Sequence, residues 1–328
     1  ACKRQGRKLI PVDDAILYCY LPAKKADWGF KFLMNTDMLP NGYRDDIEDI
    51  ELNHEIAKIA GQQFFYWIKE LVASGEYELD SIFSLIPDWD ECKKHRLYKV
   101  FIEEFQEQFE TLIKEEPFIP VIGANGEKST ETIINIVNDR TGLTEKNVMT
   151  DEKFISLLGK EGHVLPIQEL RESQNFMSFL YKYSPGEMDI DFEDVKNVCD
   201  NEDFQEWLKD IENNTNFIAH LLGKNELGNF SSLSIFIEFE GDLFKPGDLY
   251  YDFDTNGQLI GFAKKFVPHL CEHTRTHFDG DEEWDAFVEE EFMEFNAQSI
   301  VCNCIVGNDD AIELLKSIVD SVNFYRFV

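Results

Sequence analysis

The sequence is poor in positive charge. Lysine and arginine total 31 residues against 64 aspartates and glutamates, which gives a formal net charge of −33 at pH 7. A surface this acidic repels phosphate backbones and anionic lipid headgroups, because like charges oppose close approach. We therefore expect no nucleic-acid partner and no membrane partner.

Long apolar runs and a paired set of cysteines are also missing. No stretch approaches the roughly 20 apolar residues that a membrane-spanning helix needs. The seven cysteines are scattered and odd in number, which favours free thiols in a reducing compartment over a disulfide framework. The expected location is cytoplasmic. The chain does not begin with Met, and we expect it to be a fragment of a larger protein.

The common catalytic and phosphate-binding motifs are absent. Gly123 and Gly126 enclose two residues where a phosphate-binding loop requires four, so a hairpin turn is the better interpretation. Asp252–Gly257 matches the first half of a calcium-binding loop, but Ala263 stands where the bidentate carboxylate belongs.

The chain has enough apolar residues to form a large hydrophobic core. The chain has 328 residues, of which 43% are apolar and 28 are phenylalanine, and this composition argues against disorder. The pattern predicts a mixed α+β fold that is rich in helix, with a small sheet flanked by helices and then helical units with short β-hairpins. We expect three units at residues 1–116, 117–230 and 231–328.

The first unit has the clearest periodicity. Strands are predicted at Ile16–Leu21 and Phe30–Met34, joined by a turn at Ala23–Asp27. A long helix follows, with Asn53 as its N-cap and Gly75 as the residue after its end. One more helix is predicted in this unit, at Leu97–Lys114. In the rest of the chain, helices are predicted at Thr150–Leu158, Ile167–Tyr183, Phe192–Val198, Asp203–Leu222, Asp281–Phe295 and Asp309–Val322. Two strand–turn cassettes, near Pro117–Gly123 and Ser232–Tyr251, form a weak internal repeat.

A group of histidines and cysteines is the first candidate for chemistry. His269, His273 and His277 recur every four residues, which on a helix places them on one face. Cys271 lies among them, and Cys302 and Cys304 could add thiolates, so a metal-binding module is one reading. The other reading is a helix surface that happens to carry histidines.

The second candidate is the loop that joins the predicted strand Phe30–Met34 to the long helix. It places Arg44 just after a Pro/Asn/Gly turn. A loop on a rigid scaffold can aim a guanidinium at an anion outside its own unit. Alternatively, Arg44 forms a surface ion pair with Asp45, Asp46 or Asp49.

A family resemblance bears on that choice. The segment ILYCYLP…GFKFLMNTDMLPNGYRDDI, followed by NHEIAKIAGQQFFYWIKEL, resembles the region just after the nucleotide-binding domain in heat-shock-protein-90-like (GHKL) ATPases. It is most similar to sacsin-type repeats and to large prokaryotic relatives. Asn35, Asp37, Pro40 and Arg44 stand at the positions of the family pattern. PFIPV…NG and IFIEFEGDLFKPGDLYY also look like the strand–turn cassettes of those proteins.

The resemblance implies a role for each of these residues. Arg44 would contact the γ-phosphate of ATP held by a neighbouring domain, with Asn35 and Asp37 supporting the loop. The ATP-binding motifs themselves are absent, so this chain should bind no cofactor alone, while ATP and Mg²⁺ would belong to the full-length protein.

The implied function is chaperone-like. The chain would couple closure of its own N-terminal ATP-binding domain to an unknown protein client, and a homodimer is among the assemblies that the resemblance allows. The alternative is a stand-alone acidic module for protein–protein interaction, and a metal-binding module is a third reading.

Overall fold

The chain folds into two compact units. The computed structural model describes residues 2–12, 15–19, 21–27, 29–94, 101–122, 127–146, 148–251, 266–293, 302 and 305–313. The first unit comprises Ala1–Asn138 and Gly159–Asp189, and the second comprises Asp139–Leu158 and Ile190–Val328. The three segments expected from the sequence divide the chain elsewhere, and those boundaries stay predictions.

The first unit begins with small sheets. Its strands are β1 (Lys3–Gln5), β2 (Lys8–Ile10), β3 (Ile16–Cys19), β4 (Leu21–Asp27), β5 (Met34–Asn35), β6 (Ile119–Ile122) and β7 (Lys128–Glu131). The β1–β2 and β6–β7 pairs are antiparallel hairpins. The central sheet has the order β4-β3-β5, in which β3 runs antiparallel to β4 and parallel to β5.

Six α-helices lie in the described residues of the first unit. They are α1 (Glu51–Ser74), α2 (Leu79–Phe83), α3 (Trp89–Cys92), α4 (Glu103–Glu115), α6 (Gln168–Arg171) and α7 (Gln174–Tyr183). The core between them is largely aromatic, and Phe30, Phe64 and Phe105 have ring centroids 4.9–5.6 Å apart where they meet. Helices α1 and α4 approach closely at Gly61, where an added Cβ would lie 2.3 Å from the carbonyl oxygen of Phe105.

The described part of the second unit is mainly helical. Its helices are α5 (Asp151–Leu158), α8 (Phe192–Val198), α9 (Glu202–Leu208), α10 (Ile211–Gly223), α11 (Glu272–His277) and α12 (Glu282–Glu291). Strands β10 (Phe236–Ile237) and β11 (Leu243–Phe244) form an antiparallel pair. The short strands β8 (Asn138–Asp139) and β9 (Asp189–Ile190) lie on the chain at boundaries between the units.

The predicted fold class is confirmed, since small sheets of two or three strands are flanked by helices. No helix in the part of the chain that the structure describes is both long and apolar enough to cross a bilayer. The helix predicted over Phe192–Val198 is present with those bounds. Gly75 follows α1 in the left-handed conformation with φ 62°, as predicted.

Several element predictions are wrong in detail. Ala23–Asp27 is the continuation of β4 rather than a turn, because the antiparallel pairing extends to Ile16 and Asp27. The helix expected at Ile167–Tyr183 is broken by Ser173, whose hydroxyl accepts a hydrogen bond from Phe176 N and so starts α7. Asp210 breaks the helix expected at Asp203–Leu222 in the same way, by accepting from Asn213 N.

Other predictions are shortened or fall on undescribed residues. The cassette predicted near Ser232–Tyr251 contains two strands of two residues each, β10 and β11. The start of the predicted helix at Leu97, the turn at residues 124–126 and the calcium-like segment Asp252–Gly257 lie outside the described residues. Of the last predicted helix, residues 309–313 are helical, and the remainder also lies outside the described part.

Candidate functional site

The Arg44 loop is closed at its base by backbone pairing. Pro40 and Ile47 form an isolated antiparallel bridge, and Asn41 N donates to the carbonyl of Asp46 at 2.8 Å. Within the loop, Asn41 Oδ1 accepts from the amides of Tyr43 and Asp45, each at 3.2 Å. This arrangement, in which an Asn side chain satisfies the next backbone donors, is a common way to hold a tight turn.

Arg44 occupies an unusual backbone conformation at the tip of this loop. Its φ is +56°, and Asn225 is the only other non-glycine residue with positive φ in the described part of the chain. A side chain in the left-handed region costs roughly 1 kcal/mol or more for most residues. The turn therefore directs Arg44 outward at an energetic cost, which is a feature often found at functional positions.

The carboxylates that follow Arg44 are engaged elsewhere. Asp45 Oδ1 accepts from Asn41 Nδ2 at 3.0 Å, and Asp46 Oδ1 accepts from the amide of Ile47 at 2.9 Å. Asp49 contacts His54 at 2.9 Å. None of the ion pairs found among the described residues involves Arg44, and its side chain is exposed. The surface ion pair with these aspartates, considered from the sequence, is therefore not formed.

The loop is fastened to α1 by Asn53. This buried side chain accepts a hydrogen bond from Leu39 N at 2.8 Å and donates to the carbonyls of Leu39 and Glu48 at 2.9 and 2.8 Å. The N-cap role predicted for Asn53 is wrong. Ile50 is the residue at the N-cap position, and Asn53 lies in the first turn with its amide turned to the loop.

A second connection to α1 runs through His54. Its Nε2 lies 2.9 Å from Asp49 Oδ1, and its Nδ1 lies 3.0 Å from Glu104 Oε1 on α4. The hydrogen bond with Asp49 raises the pKa of His54, and the charge of Glu104 adds to this effect. Protonated His54 can donate to both carboxylates at once, and it then joins the loop, α1 and α4.

Asp37, which precedes the loop, lines two hollows. A pocket of about 240 Å³ is lined by Arg44 and Asp37 together with apolar groups that include Leu21 and Met38. A larger cleft of about 480 Å³ lies between β5 and α1, and Asn35 and Asp37 line it. Asp37 thus borders both hollows, whereas Asn35 borders only the larger one. Arg44 and Asp37 therefore line the same pocket, and Asn35 is not part of that lining.

The histidine group does not form the helical face expected from its spacing. His269 precedes α11 in an extended bridge with Tyr250 and is buried, whereas His273 is exposed on the helix. Cys271 is buried at the N-cap position of α11. Within the described ranges, no group of three or more His, Cys, Asp or Glu side chains could hold a metal ion. Cys304 lies outside those ranges.

Three features of this site were not predicted from the sequence: the hydrogen bonds of Asn53 to Leu39 and Glu48 (the Asn53 clamp), the contacts of His54 with Asp49 and Glu104 (the His54 bridge), and the 480 Å³ cleft. A signal for the first exists in hindsight. An Asn that begins a helix just after a loop rich in turn residues can bond that loop as readily as its own helix. No sequence pattern predicts the cleft, because its walls come from two separate segments, residues 32–37 and 56–67.

Comparison with known proteins gives no further guide. No protein-family model, no curated protein and no solved structure matches this chain.

Proposed function

We propose that this chain is a middle-to-C-terminal segment of a heat-shock-protein-90-like ATPase, in which Arg44 contacts the γ-phosphate of ATP. The nucleotide and its Mg²⁺ would be held by a separate N-terminal domain of the same protein. When that domain closes on the Arg44 loop, the guanidinium would neutralise charge that develops during phosphoryl transfer. The remainder of the chain would pass this movement to a protein client.

The geometry of Arg44 is the observation that supports this proposal. Arg44 is exposed, has no ion-pair partner among the described residues, and stands on a loop held by Asn53. A cation that must meet an anion across a gap between domains needs this combination, because a flexible or already paired side chain would lose part of its binding free energy. The left-handed backbone of Arg44 fits the same purpose.

ATP turnover of the longer protein tests the proposal. Arg44→Ala should reduce the turnover rate by at least about 10²-fold, as is usual when a phosphate-stabilising cation is removed. Arg4→Ala is the matched control, because Arg4 is an exposed arginine of the same unit outside the Arg44 loop, where it donates to the Gly6 carbonyl and lies over the Tyr77 ring. Turnover that is unchanged in Arg44→Ala rules out the phosphate contact. Calorimetry of the present chain alone should detect no ATP binding.

We also propose that the protein is cytoplasmic. All six cysteines that the structure describes are free thiols, as expected in a reducing compartment. Burial raises the pKa of Cys92 and of Cys199 to about 12, so both remain unreactive thiols inside the fold.

A second candidate function is a stand-alone module for protein–protein interaction. The exposed apolar side chains of α1 favour it, since Leu52 and Ile59 are each more than half exposed. A reading frame that continues upstream into an ATP-binding fold would support the first candidate. Its absence would leave the second.

A further inference from the structure

The solvent side of α1 carries a regular apolar stripe. Leu52, Ile56, Ile59, Gln63 and Tyr66 follow one another at alternating spacings of four and three residues. Leu52, Ile59 and Tyr66 are 52%, 55% and 41% exposed. Spacings of this kind place side chains along one seam of a helix, and such a seam is what a second helix packs against.

The stripe is continuous with the 480 Å³ cleft. Ile56, Ile59 and Gln63 belong to both, while Met34 and Trp67 form other walls of the cleft. This volume lies within the range of about 300–1,000 Å³ that is typical of ligand pockets. The surface therefore offers a long apolar seam together with a hollow that can receive a large side chain.

Charge selects the chemistry of the occupant. Glu51 begins α1, Glu70 continues the stripe one turn beyond Tyr66, and both glutamates are exposed. The nearby lysines are already paired, Lys58 with Glu55 and Lys69 with Glu116. A second copy of this chain would carry the same net charge of −33, so electrostatics oppose self-association and favour a basic partner.

We propose that the α1 stripe and the cleft form a docking site for a basic amphipathic helix of another protein. One large apolar side chain of that helix enters the cleft, and its Lys or Arg residues face Glu51 and Glu70 at the two ends of the stripe. The stripe from Leu52 to Tyr66 covers about 21 Å of helix axis, so the partner needs roughly four turns. Gln63, a polar residue within an apolar seam, fixes the register of the two helices. This site does not use Arg44, and its test is independent of ATP.

A designed peptide serves as the probe. We would use a fluorescent amphipathic helix of roughly 18 residues, with Leu along one face and Lys elsewhere, and measure its affinity for the whole chain by fluorescence anisotropy. Ile59→Glu should weaken binding by about tenfold or more, because the charge falls in the middle of the seam. Ile122→Glu is the matched control. Ile122 is a 53% exposed isoleucine on β6, outside the stripe and the cleft.

The two glutamate variants distinguish docking of the peptide on the α1 stripe from non-specific electrostatic association with the acidic chain. Both make the chain more acidic, so a purely electrostatic association would strengthen equally in both. Weaker binding confined to Ile59→Glu, with unchanged circular dichroism, supports the docking site. Equal affinities in the two variants overturn it. Sedimentation that shows a wild-type dimer dissociated by Ile59→Glu would also overturn it, because the occupant would then be a second copy.

Discussion

The side-chain amide of Asn53 pairs with both backbone groups of Leu39. Its Oδ1 accepts from Leu39 N at 2.8 Å, and its Nδ2 donates to Leu39 O at 2.9 Å. This is the same pair of bonds that a residue in a neighbouring β-strand would exchange. With a further bond to the carbonyl of Glu48, one buried side chain in α1 fixes both ends of the loop that carries Arg44.

Replacing Asn53 with Ala should therefore destabilise the first unit. The change leaves three hydrogen bonds unmade near a buried position, and we expect a loss of about 1–3 kcal/mol in the free energy of unfolding. Urea unfolding measures this loss, and hydrogen exchange at the Leu39 amide reports the loop directly.

Asn229→Ala is the control for that measurement, because Asn229 is exposed and its side-chain amide donates to the nearby side chain of Glu226. If the two alanine variants unfolded at the same urea concentration, with equal exchange at Leu39, the clamp would have no energetic role.

The close approach of α1 and α4 gives a second prediction. A methyl group added at Gly61 would lie 2.3 Å from the Phe105 carbonyl oxygen, so the helices must separate. Gly61→Ala should cost about 1–3 kcal/mol through overpacking, despite the better helix propensity of alanine. Thermal unfolding checks it. Gly223→Ala in α10 is the comparison, since nothing lies within 4 Å of the added group and propensity alone should then stabilise the chain by up to about 1 kcal/mol.

Helix α1 shows which features of the structure could be predicted from the sequence and which could not. The existence of α1 followed from its apolar spacing and from Gly75, because both are local signals. The role of Asn53 did not, because N-capping and loop clamping use the same amide chemistry, and the choice depends on where the chain places Leu39 and Glu48. Likewise, His269 has helical spacing to His273 but is held in an extended bridge with Tyr250, a contact that the local sequence does not encode.

The His54 bridge makes stability depend on pH. The pKa of folded His54 is raised, first by its hydrogen bond with Asp49. A raised pKa in the folded state stabilises the fold fully below the unfolded value of about 6.5, and this contribution is lost as the pH rises through the folded pKa. His54→Gln should therefore cost more stability at about pH 5.5 than at about pH 8.5, by less than about 1 kcal/mol for such a partly solvated pair.

Urea unfolding at the two pH values measures this difference. His163→Gln is an informative control, because burial lowers the pKa of His163 and its contribution should change with pH in the opposite direction. A cost of His54→Gln that is the same at both pH values would contradict the bridge.

The left-handed backbone of Arg44 predicts that stability and function oppose each other at this position. Glycine adopts a φ near +56° without the steric penalty of a side chain, so Arg44→Gly should stabilise the chain by about 0.5–1 kcal/mol. Asn225→Gly is the matched control, since its φ of +58° is almost the same. Asparagine tolerates this region better than arginine, so the gain there should be smaller. Urea unfolding of both variants tests the first half of the argument, and ATP turnover of the proposed full-length ATPase tests the second. Greater stability with lost turnover would mean that the strain is retained for the guanidinium. Reduced stability in Arg44→Gly would mean instead that the side chain supports its own loop, and the argument from backbone strain would fail.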